Sequence, residues 1–352
     1  MVDWTKSMTQ TFEYYIVDPG TWKDRNKIEN IKSSSIKRDA NTETLSSLTM
    51  DVNGTLDENY VRVYLITIQN GVREKHPLGT FLVQTPVTSF DGKTHDIKID
   101  AYSPLLELKE NQPPIGYSLL EGEEIMNRAF MVVRENVRAP IVKVDDNEKL
   151  FDDFVANTDD NWVTFIRDLI SNAKYNLDLD DMGRIIFSKA QDISALQPVW
   201  TFDDSNSSIL YPSLEINQDL YGIPNAVEVI YSNNRNYFYK KVVNDDPNSP
   251  TSTVRRGREI VYRDINPGGI GNPTEEQLER YAKQLLKNLS CLEYKITYTH
   301  GYCPVRLGDC VRLNYERAGI TNIKAKVISQ NIDCTPGCPV TETAVFTNRL
   351  WG

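Results

Sequence analysis

The sequence lacks the long apolar runs and leader features that mark membrane and exported proteins. No stretch approaches the roughly 20 apolar residues that a membrane-spanning helix needs. The first residues, 1–6, contain no apolar core of a signal peptide. We therefore expect no stable membrane insertion and a chain that is made and folded in a cytoplasm.

Positive charge is also scarce. Lys and Arg number 39 against 49 Asp and Glu, so the net charge is −10 over 352 residues. A phosphate-binding face needs clustered positive charge, so we expect no sequence-specific binding of nucleic acid. The dense basic cluster is Arg255-Arg256-Gly257-Arg258, which is suited to pair with an acidic surface of another subunit.

The common catalytic motifs are missing as well. There is no Gly-x-Ser-x-Gly elbow, no phosphate-binding loop and no Gly-x-Gly-x-x-Gly. Adjacent aspartates recur in polar loops, where such pairs are usually solvated. Asp178 and Asp203 are the candidate acids if the chain is a hydrolase. The prediction is that the chain is not an enzyme, with no catalytic residue and no cofactor.

Histidine is rare, with three in the chain. His95 shares a predicted strand face with Ile97 and Ile99, which favours a buried structural role. His76 precedes a proline in an apparent loop, and His300 ends a strand. Both are expected at the surface.

All five cysteines fall in the last 62 residues, at positions 291, 303, 310, 334 and 338. An odd count without a signal peptide argues against an obligate disulfide framework. Cys303, Cys310, Cys334 and Cys338 could bind a structural zinc ion if the fold brings them together. A disulfide between Cys334 and Cys338 is a second alternative, and free thiols are favoured over both.

The hydrophobic pattern predicts two β regions around a mixed segment. Residues 60–70 alternate and end in Asn70-Gly71, a strong hairpin signal, and residues 94–102 alternate again. Short strands with polar turns indicate an antiparallel sandwich or small barrel over 1–105.

Helical spacing predicts a mixed α/β domain over 106–205. One apolar stripe covers 122–136 and a second covers 160–173, where Asp159 or Asp160 would cap the helix. Residues 206–352 again show strand patterns, interrupted by one helix that begins at the capping box of Thr274 and Gln277.

Two stretches carry a resemblance to a known family: one runs from residues 77–83 through an alternating strand to residues 101–108, and the other is residues 303–313. In the last of them, a loop leads through Gly308-Asp309 into a strand. In order and spacing, the chain resembles, over nearly its full length, the baseplate hub proteins of tailed phages and contractile injection particles, the T-even-type hub family.

The resemblance implies a fold and a role. Two tube-type antiparallel β-barrel domains would flank the α/β domain, and three chains would form a pseudo-sixfold ring. That ring would join the sixfold tail tube to the threefold central spike and leave a lumen for DNA. The implied partners are two further copies, the tail tube protein, the spike protein and other baseplate proteins, in a virion tail assembled in the host cytoplasm.

Two other functions stay as alternatives. One is a tail-associated cell-wall hydrolase acting through acids such as Asp178 or Asp203. The other is a carbohydrate-binding β-module that uses Trp22, Trp200 or Trp351 as stacking platforms.

Overall fold

The computed structural model describes residues 2–53, 56–90, 92–93, 95–193, 195–218, 220–232, 237–265 and 273–349. Strands account for 47% and helices for 15%, so the mainly β class predicted from sequence is confirmed. Within these ranges, no helix has the length and apolarity required to span a bilayer. The pair Asn233-Asn234, for which the sequence predicts a turn, lies outside the described residues, and so does Trp351.

The elements alternate between strands and a few helices. The strands up to residue 189 are β1 (Thr9–Val17), β2 (Asp24–Ile28), β3 (Ile31–Asp39), β4 (Ser46–Asn53), β5 (Tyr60–Gln69), β6 (Val72–Phe90), β7 (His95–Tyr102), β8 (Ser118–Leu119), β9 (Phe154–Val155), β10 (Tyr175–Leu179) and β11 (Ile185–Lys189). The later strands are β12 (Trp200–Asp203), β13 (Leu210–Gln218), β14 (Ala226–Ser232), β15 (Tyr237–Val243), β16 (Val261–Ile265), β17 (Cys291–Gly301), β18 (Cys310–Tyr315), β19 (Ile320–Asp333) and β20 (Pro339–Arg349). The helices are α1 (Leu106–Lys109), α2 (Ile125–Asn136), α3 (Trp162–Ser171), α4 (Thr253–Arg256) and α5 (Glu275–Leu289), with a 3-10 turn at Glu316–Ala318.

One large sheet carries most of the strands. Its order is β13-β17-β20-β19-β3-β4-β7-β6-β5-β1-β2, with β18 also on β19 and β12 parallel to β18. No pairing among the described residues joins β13 to β2, so barrel closure is not seen. Smaller sheets are β8-β9, β10-β11 and β15-β14-β16.

The β5–β6 hairpin confirms the strongest turn signal of the sequence. Asn70 and Gly71 both have positive φ, 51° and 79°, as a two-residue type I′ turn requires. The alternation of β5 is also present, but both of its faces are buried. Val61 and Val63 lie in the sheet core, while Arg62 is only 1% exposed on the opposite face.

The α/β segment has its own apolar core. Helices α2 and α3 pack with the β10–β11 hairpin around buried side chains such as Val133, Phe165 and Ile185. The cap of α3 differs from the prediction. Asn161, and not Asp159 or Asp160, accepts the Thr164 N–H and completes a capping box, because the helix begins at Trp162, two residues later than the apolar pattern indicated.

Helix α5 begins where the capping box predicted. The Thr274 side chain accepts from Gln277 N–H, and the Gln277 side chain accepts from Thr274 N–H. The buried side chains of the core that α5 forms with the β15-β14-β16 sheet are Val227, Val229, Leu278, Ala282 and Leu286.

The chain forms two compact units, each built from two segments. The first unit comprises Met1–Leu214 and Tyr298–Ala344, and the second comprises Glu215–Thr297 and Val345–Gly352. The ranges 1–105, 106–205 and 206–352 stay a prediction about how the fold is assembled from domains.

Candidate functional site

The turn between β10 and β11 is fixed to the large sheet through one backbone carbonyl. Trp22 Nε1 and Thr80 Oγ1 donate hydrogen bonds to the carbonyl oxygen of Met182, at 2.8 and 2.9 Å. The Arg62 guanidinium donates to the same oxygen at 3.2 Å. Gly183 follows with φ 74°, and a Cβ there would lie 2.6 Å from Thr80 Cβ. Glycine is therefore required for this close approach.

A charged cleft lies beside this turn. Its cavity of about 160 Å³ is lined by both signs of charge. The charged residues are Arg38, Asp178, Asp180, Asp181, Arg306 and Asp309. Asp181 pairs with Arg306 and also lies 3.7 Å from the Arg38 guanidinium. Because Asp181 belongs to the β10–β11 turn, this bridge ties the α/β segment to β3 through Arg38 and to the loop between β17 and β18 through Arg306.

Two carboxyls of the cleft resist ionisation. Burial raises the pKa of Asp178, although a hydrogen bond from the Leu179 N–H at 2.7 Å opposes the change. Burial also raises the pKa of Asp309 against a 2.8 Å hydrogen bond from the Arg306 N–H. Two neighbouring cavities of about 330 and 280 Å³ share Asp178 with the first.

The two candidate acids of the hydrolase alternative are not brought together. Asp203 ends β12, where its carboxylate accepts from Ser205 N–H at 3.1 Å and Ser205 Oγ at 2.8 Å. Among the described residues that line the three cavities around Asp178, Asp203 is absent. A glycosidase needs two carboxyls facing each other across a substrate, and Asp178 and Asp203 do not form such a pair.

A second polar cluster is buried in the first unit. Glu342 is fully buried, and its carboxylate accepts hydrogen bonds from Tyr298 Oη and, at 2.7 Å, from Gln330 Nε2. Arg38 Nη1 donates to Gln330 Oε1 at 3.1 Å. A continuous series of hydrogen bonds therefore links the cleft, through Arg38 and Gln330, to Glu342. Burial and the neighbouring Glu342 charge raise the pKa of Tyr298 well above its usual value.

His300 belongs to this cluster, so its predicted surface position is wrong. The ring is fully buried, with Nδ1 2.7 Å from the Gly301 carbonyl oxygen and Nε2 3.5 Å from Glu342 Oε2. The carbonyl can only accept, so Nδ1 carries a proton. The signal was present in the sequence. The alternation that places Ile296 and Tyr298 inside β17 reaches His300 after one more step of two residues.

The other two histidines have different outcomes. His76 lies within β6 and not in a loop, and it is half-buried. Its Nε2 lies 3.0 Å from Thr67 Oγ1, and its ring packs edge-on against Trp4 at 5.0 Å. The predicted loop position is therefore wrong for His76, while its side chain is partly exposed. The side chain of His95 lies outside the described residues.

The five cysteines are free thiols in this structure. Cys303 Sγ lies 3.8 Å from His300 Nδ1, while Cys334 and Cys338 belong to the core of the large sheet. Burial raises the pKa of Cys303 and Cys338 strongly, and that of Cys334 to about 11. Cys310 is buried too, and the described residues contain no group of three or more His, Cys, Asp or Glu that could hold a metal.

The basic cluster surrounds the short helix α4. Ser252 caps this helix, and Gly257 ends it in the left-handed conformation. The Arg256 guanidinium donates at 3.0 Å to two backbone carbonyls, those of Leu220 and Ile223. Arg256 therefore holds its own loop together and is only partly available to another subunit.

Trp22 gives little support to a carbohydrate-binding surface. Trp22 is 8% exposed, and its indole N–H is already bonded to Met182. Its ring packs edge-on against Tyr60 at 5.0 Å. A stacking platform must present a ring face to solvent, which Trp22 does not do.

Two solved structures of tail proteins are similar to the chain over almost its whole length. No family model and no curated protein matches the chain. A tail protein from Neisseria meningitidis MC58 matches it with a TM-score of 0.64 at 12% identity, covering 97% of this chain and 98% of that one. The 43 kDa tail protein of prophage MuSo2 from Shewanella oneidensis matches with a TM-score of 0.60 at 10% identity, covering 97% and 98%. The chain shares the fold of these tail proteins.

The shared fold extends over almost the whole chain and is not confined to one unit. Both neighbours are tail proteins. At 10–12% identity the similarity concerns the fold. The function is therefore argued separately below.

Proposed function

We propose that the chain is a structural protein of a phage tail, and that it forms the hub of the baseplate or tail tip. Three copies would form a ring that joins the sixfold tail tube to the threefold central spike and leaves a lumen for DNA. The observation that carries this proposal is the match to two tail proteins over 97% of the chain. The chain would then reside in the virion after assembly in the host cytoplasm.

The architecture supports a ring-forming role. The large sheet contains strands from both ends of the sequence, β1 to β7 and β17 to β20. We propose that its two halves correspond to two tube-type barrel domains with the α/β segment between them. Two such domains in each of three chains would give six similar modules around one axis, which matches a sixfold tube above.

The charge of the chain fits a DNA passage. A net charge of −10 disfavours adhesion of the phosphate backbone. The partners in this proposal are two further copies, the tail tube protein, the spike protein and other baseplate proteins. Neither sequence-specific nucleic-acid binding nor stable membrane insertion is part of it.

Native mass spectrometry of the purified chain tests the ring. A trimer of three 40.2 kDa chains has a mass of 120.6 kDa, and this species should dominate at micromolar concentration. A bound zinc ion would appear in the same spectrum as added mass on each chain. A chain that stays monomeric, alone and with its tube and spike proteins present, contradicts the hub.

The hydrolase alternative is tested separately. The purified chain is incubated with host cell walls beside its Asp178→Asn variant, and released fragments are measured. We expect no release from either protein. Cleavage by the wild type that is lost in a folded Asp178→Asn variant would contradict a purely structural role.

A further inference from the structure

Four large apolar side chains project from one small ribbon of the α/β segment. The ribbon consists of residues 115–123 and 145–160, including the paired strands β8 and β9. Ile115 is 97% exposed, Phe151 89%, Leu120 60% and Val155 57%. A side chain of this size that stays in water forgoes the free energy of its burial, and clustered exposure of this kind marks interaction surfaces.

The inward-facing side chains of the ribbon anchor it to helix α3. Ser118 pairs with Val155 and Leu119 with Phe154, so Leu119 and Phe154 point inward when Val155 points outward. The Phe154 ring packs on Phe165 of α3 at 5.2 Å. The exposed apolar side chains therefore sit on a preformed support, which lowers the entropy cost of binding.

The ribbon also carries most of the net charge of the chain. It contains nine acidic residues and one basic residue, Lys149, for a net charge of −8 out of −10. The acidic residues are Glu121, Glu123, Asp145, Asp146, Glu148, Asp152, Asp153, Asp159 and Asp160. Glu123 pairs with Arg128 of α2. Within the described part of the chain, Glu121 and Asp152 are exposed and form no ion pair.

The combination of exposed apolar side chains and negative charge restricts which partner can bind the ribbon. A second copy meeting the same surface would oppose two charges of −8, and nucleic acid or an anionic membrane would be repelled for the same reason. The basic loop of a second copy fits poorly too, because residues 244–259 contain three arginines and three acids. A protein of a different kind, with an apolar pocket rimmed by Lys and Arg, is complementary to both features.

We propose that the ribbon is the docking site for such a partner, a second structural protein of the same particle. Phe151 and Leu120 would enter its apolar pocket, and the acidic rim would pair with its basic residues. This inference rests on the proposed function for the identity of the particle, while the surface itself is defined by the chain.

Site-specific photo-cross-linking tests the inference. A benzophenone amino acid replaces Phe151 in the full chain, and cells that assemble the particle are irradiated. Val254, 62% exposed in the second unit, is the control position. We expect Phe151 to cross-link to a Lys- and Arg-rich peptide of one other tail protein, identified by mass spectrometry of purified tails, and Val254 not to reach that peptide.

A charge variant tests the rim. Glu121→Lys with Asp152→Lys should lower the yield of that cross-link about tenfold, the change produced by 1.4 kcal/mol of binding free energy. Glu29→Lys with Asp57→Lys makes the same change in net charge at exposed positions elsewhere and should leave the yield unchanged. Gel filtration and circular dichroism verify that each variant is folded.

Three outcomes overturn the inference: cross-links only between copies of this chain, no cross-link from Phe151 in tails that contain the chain, or equal yields from the two charge variants. The proposed function fails separately, if the chain is missing from purified tails. In that case the cross-linked products are analysed in the cell extract. The inference then requires that Phe151 cross-links to a Lys- and Arg-rich peptide and that the Glu121 and Asp152 changes lower the yield of this cross-link.

Discussion

At the scale of single residues, the stability of the first unit depends on the hydrogen bonds of Glu342. Its carboxylate is fully buried and accepts hydrogen bonds from Tyr298 and Gln330. A buried carboxylate is costly unless its oxygens are hydrogen-bonded or paired. The cluster therefore holds together only while all of its members are present.

Replacing Glu342 should be severe. In Glu342→Ala, Tyr298 Oη and Gln330 Nε2 lose their shared acceptor. At about 1–3 kcal/mol for each buried donor left without a partner, we expect a loss of about 2–6 kcal/mol in the free energy of unfolding. Glu316→Ala, at an exposed position, should change it by no more than about 0.5 kcal/mol. Urea unfolding followed by circular dichroism compares the two, and equal effects would contradict the buried network.

Asp178 gives a pH dependence with a definite sign. Burial raises its pKa, so the folded state holds the proton more tightly than the unfolded chain. The free energy of unfolding then falls as pH rises from the unfolded pKa, near 3.8, through the folded pKa. The charged groups around it, Asp309, Arg306 and Arg38, act on the same equilibrium.

Asp178→Asn should remove this loss of stability at high pH. We expect the variant to match the wild type near pH 3 and to be more stable at pH 7, by about 1.4 kcal/mol for each unit by which the pKa is raised. Unfolding midpoints between pH 3 and pH 8 measure the difference, with exposed Asp152→Asn as the control. A variant that is less stable than the wild type at pH 7 would show that the Asp178 charge is favourable.

Single residues also show which environments could not be predicted from the sequence. The alternation of β5 was predicted correctly, but the burial of Arg62 depends on a turn 120 residues away, which no local pattern contains. His300 was within reach, because it continues the period of β17. Asp203 and Asp178 could be compared only once the cleft was seen.

At the scale of elements, the β10–β11 turn connects the α/β segment to the large sheet. The Met182 carbonyl serves three donors, and Asp181 pairs with two arginines. The close approach depends on Gly183, where φ is 74° and a side chain would meet Thr80.

Two glycine substitutions separate strain from collision. Gly116 has a similar φ of 79°, but nothing lies within 4 Å of its added Cβ. Gly116→Ala should therefore cost about 1 kcal/mol of backbone strain, and Gly183→Ala a further 1–3 kcal/mol or so from overpacking. Thermal and urea unfolding of both variants test this, and equal losses would mean that the turn can move away from Thr80 without cost.

Local signals predicted elements well when they were complete within a few residues. The Asn70-Gly71 hairpin and the Thr274 capping box are confirmed, because each depends on its own backbone. The cap of α3 was misplaced because Asp159, Asp160 and Asn161 are all good caps, and Glu43, which accepts a hydrogen bond from the Asn161 side chain, is distant in sequence.

At the scale of the whole molecule, both compact units are discontinuous in sequence. Strands β13, β17 and β20 each begin in one unit and end in the other, so boundaries drawn from composition could not follow them. The mainly β class was predictable from alternation. The pairing order within the large sheet was not, because it depends on contacts such as β19 with β3, nearly 300 residues apart.

Electron cryomicroscopy of purified tails, reconstructed without imposed symmetry, tests the central claim most directly. The account predicts three copies of this chain in a ring between the tail tube and the central spike. Density for the chain in another number of copies or away from the tail axis, or its absence from the tail, would contradict it.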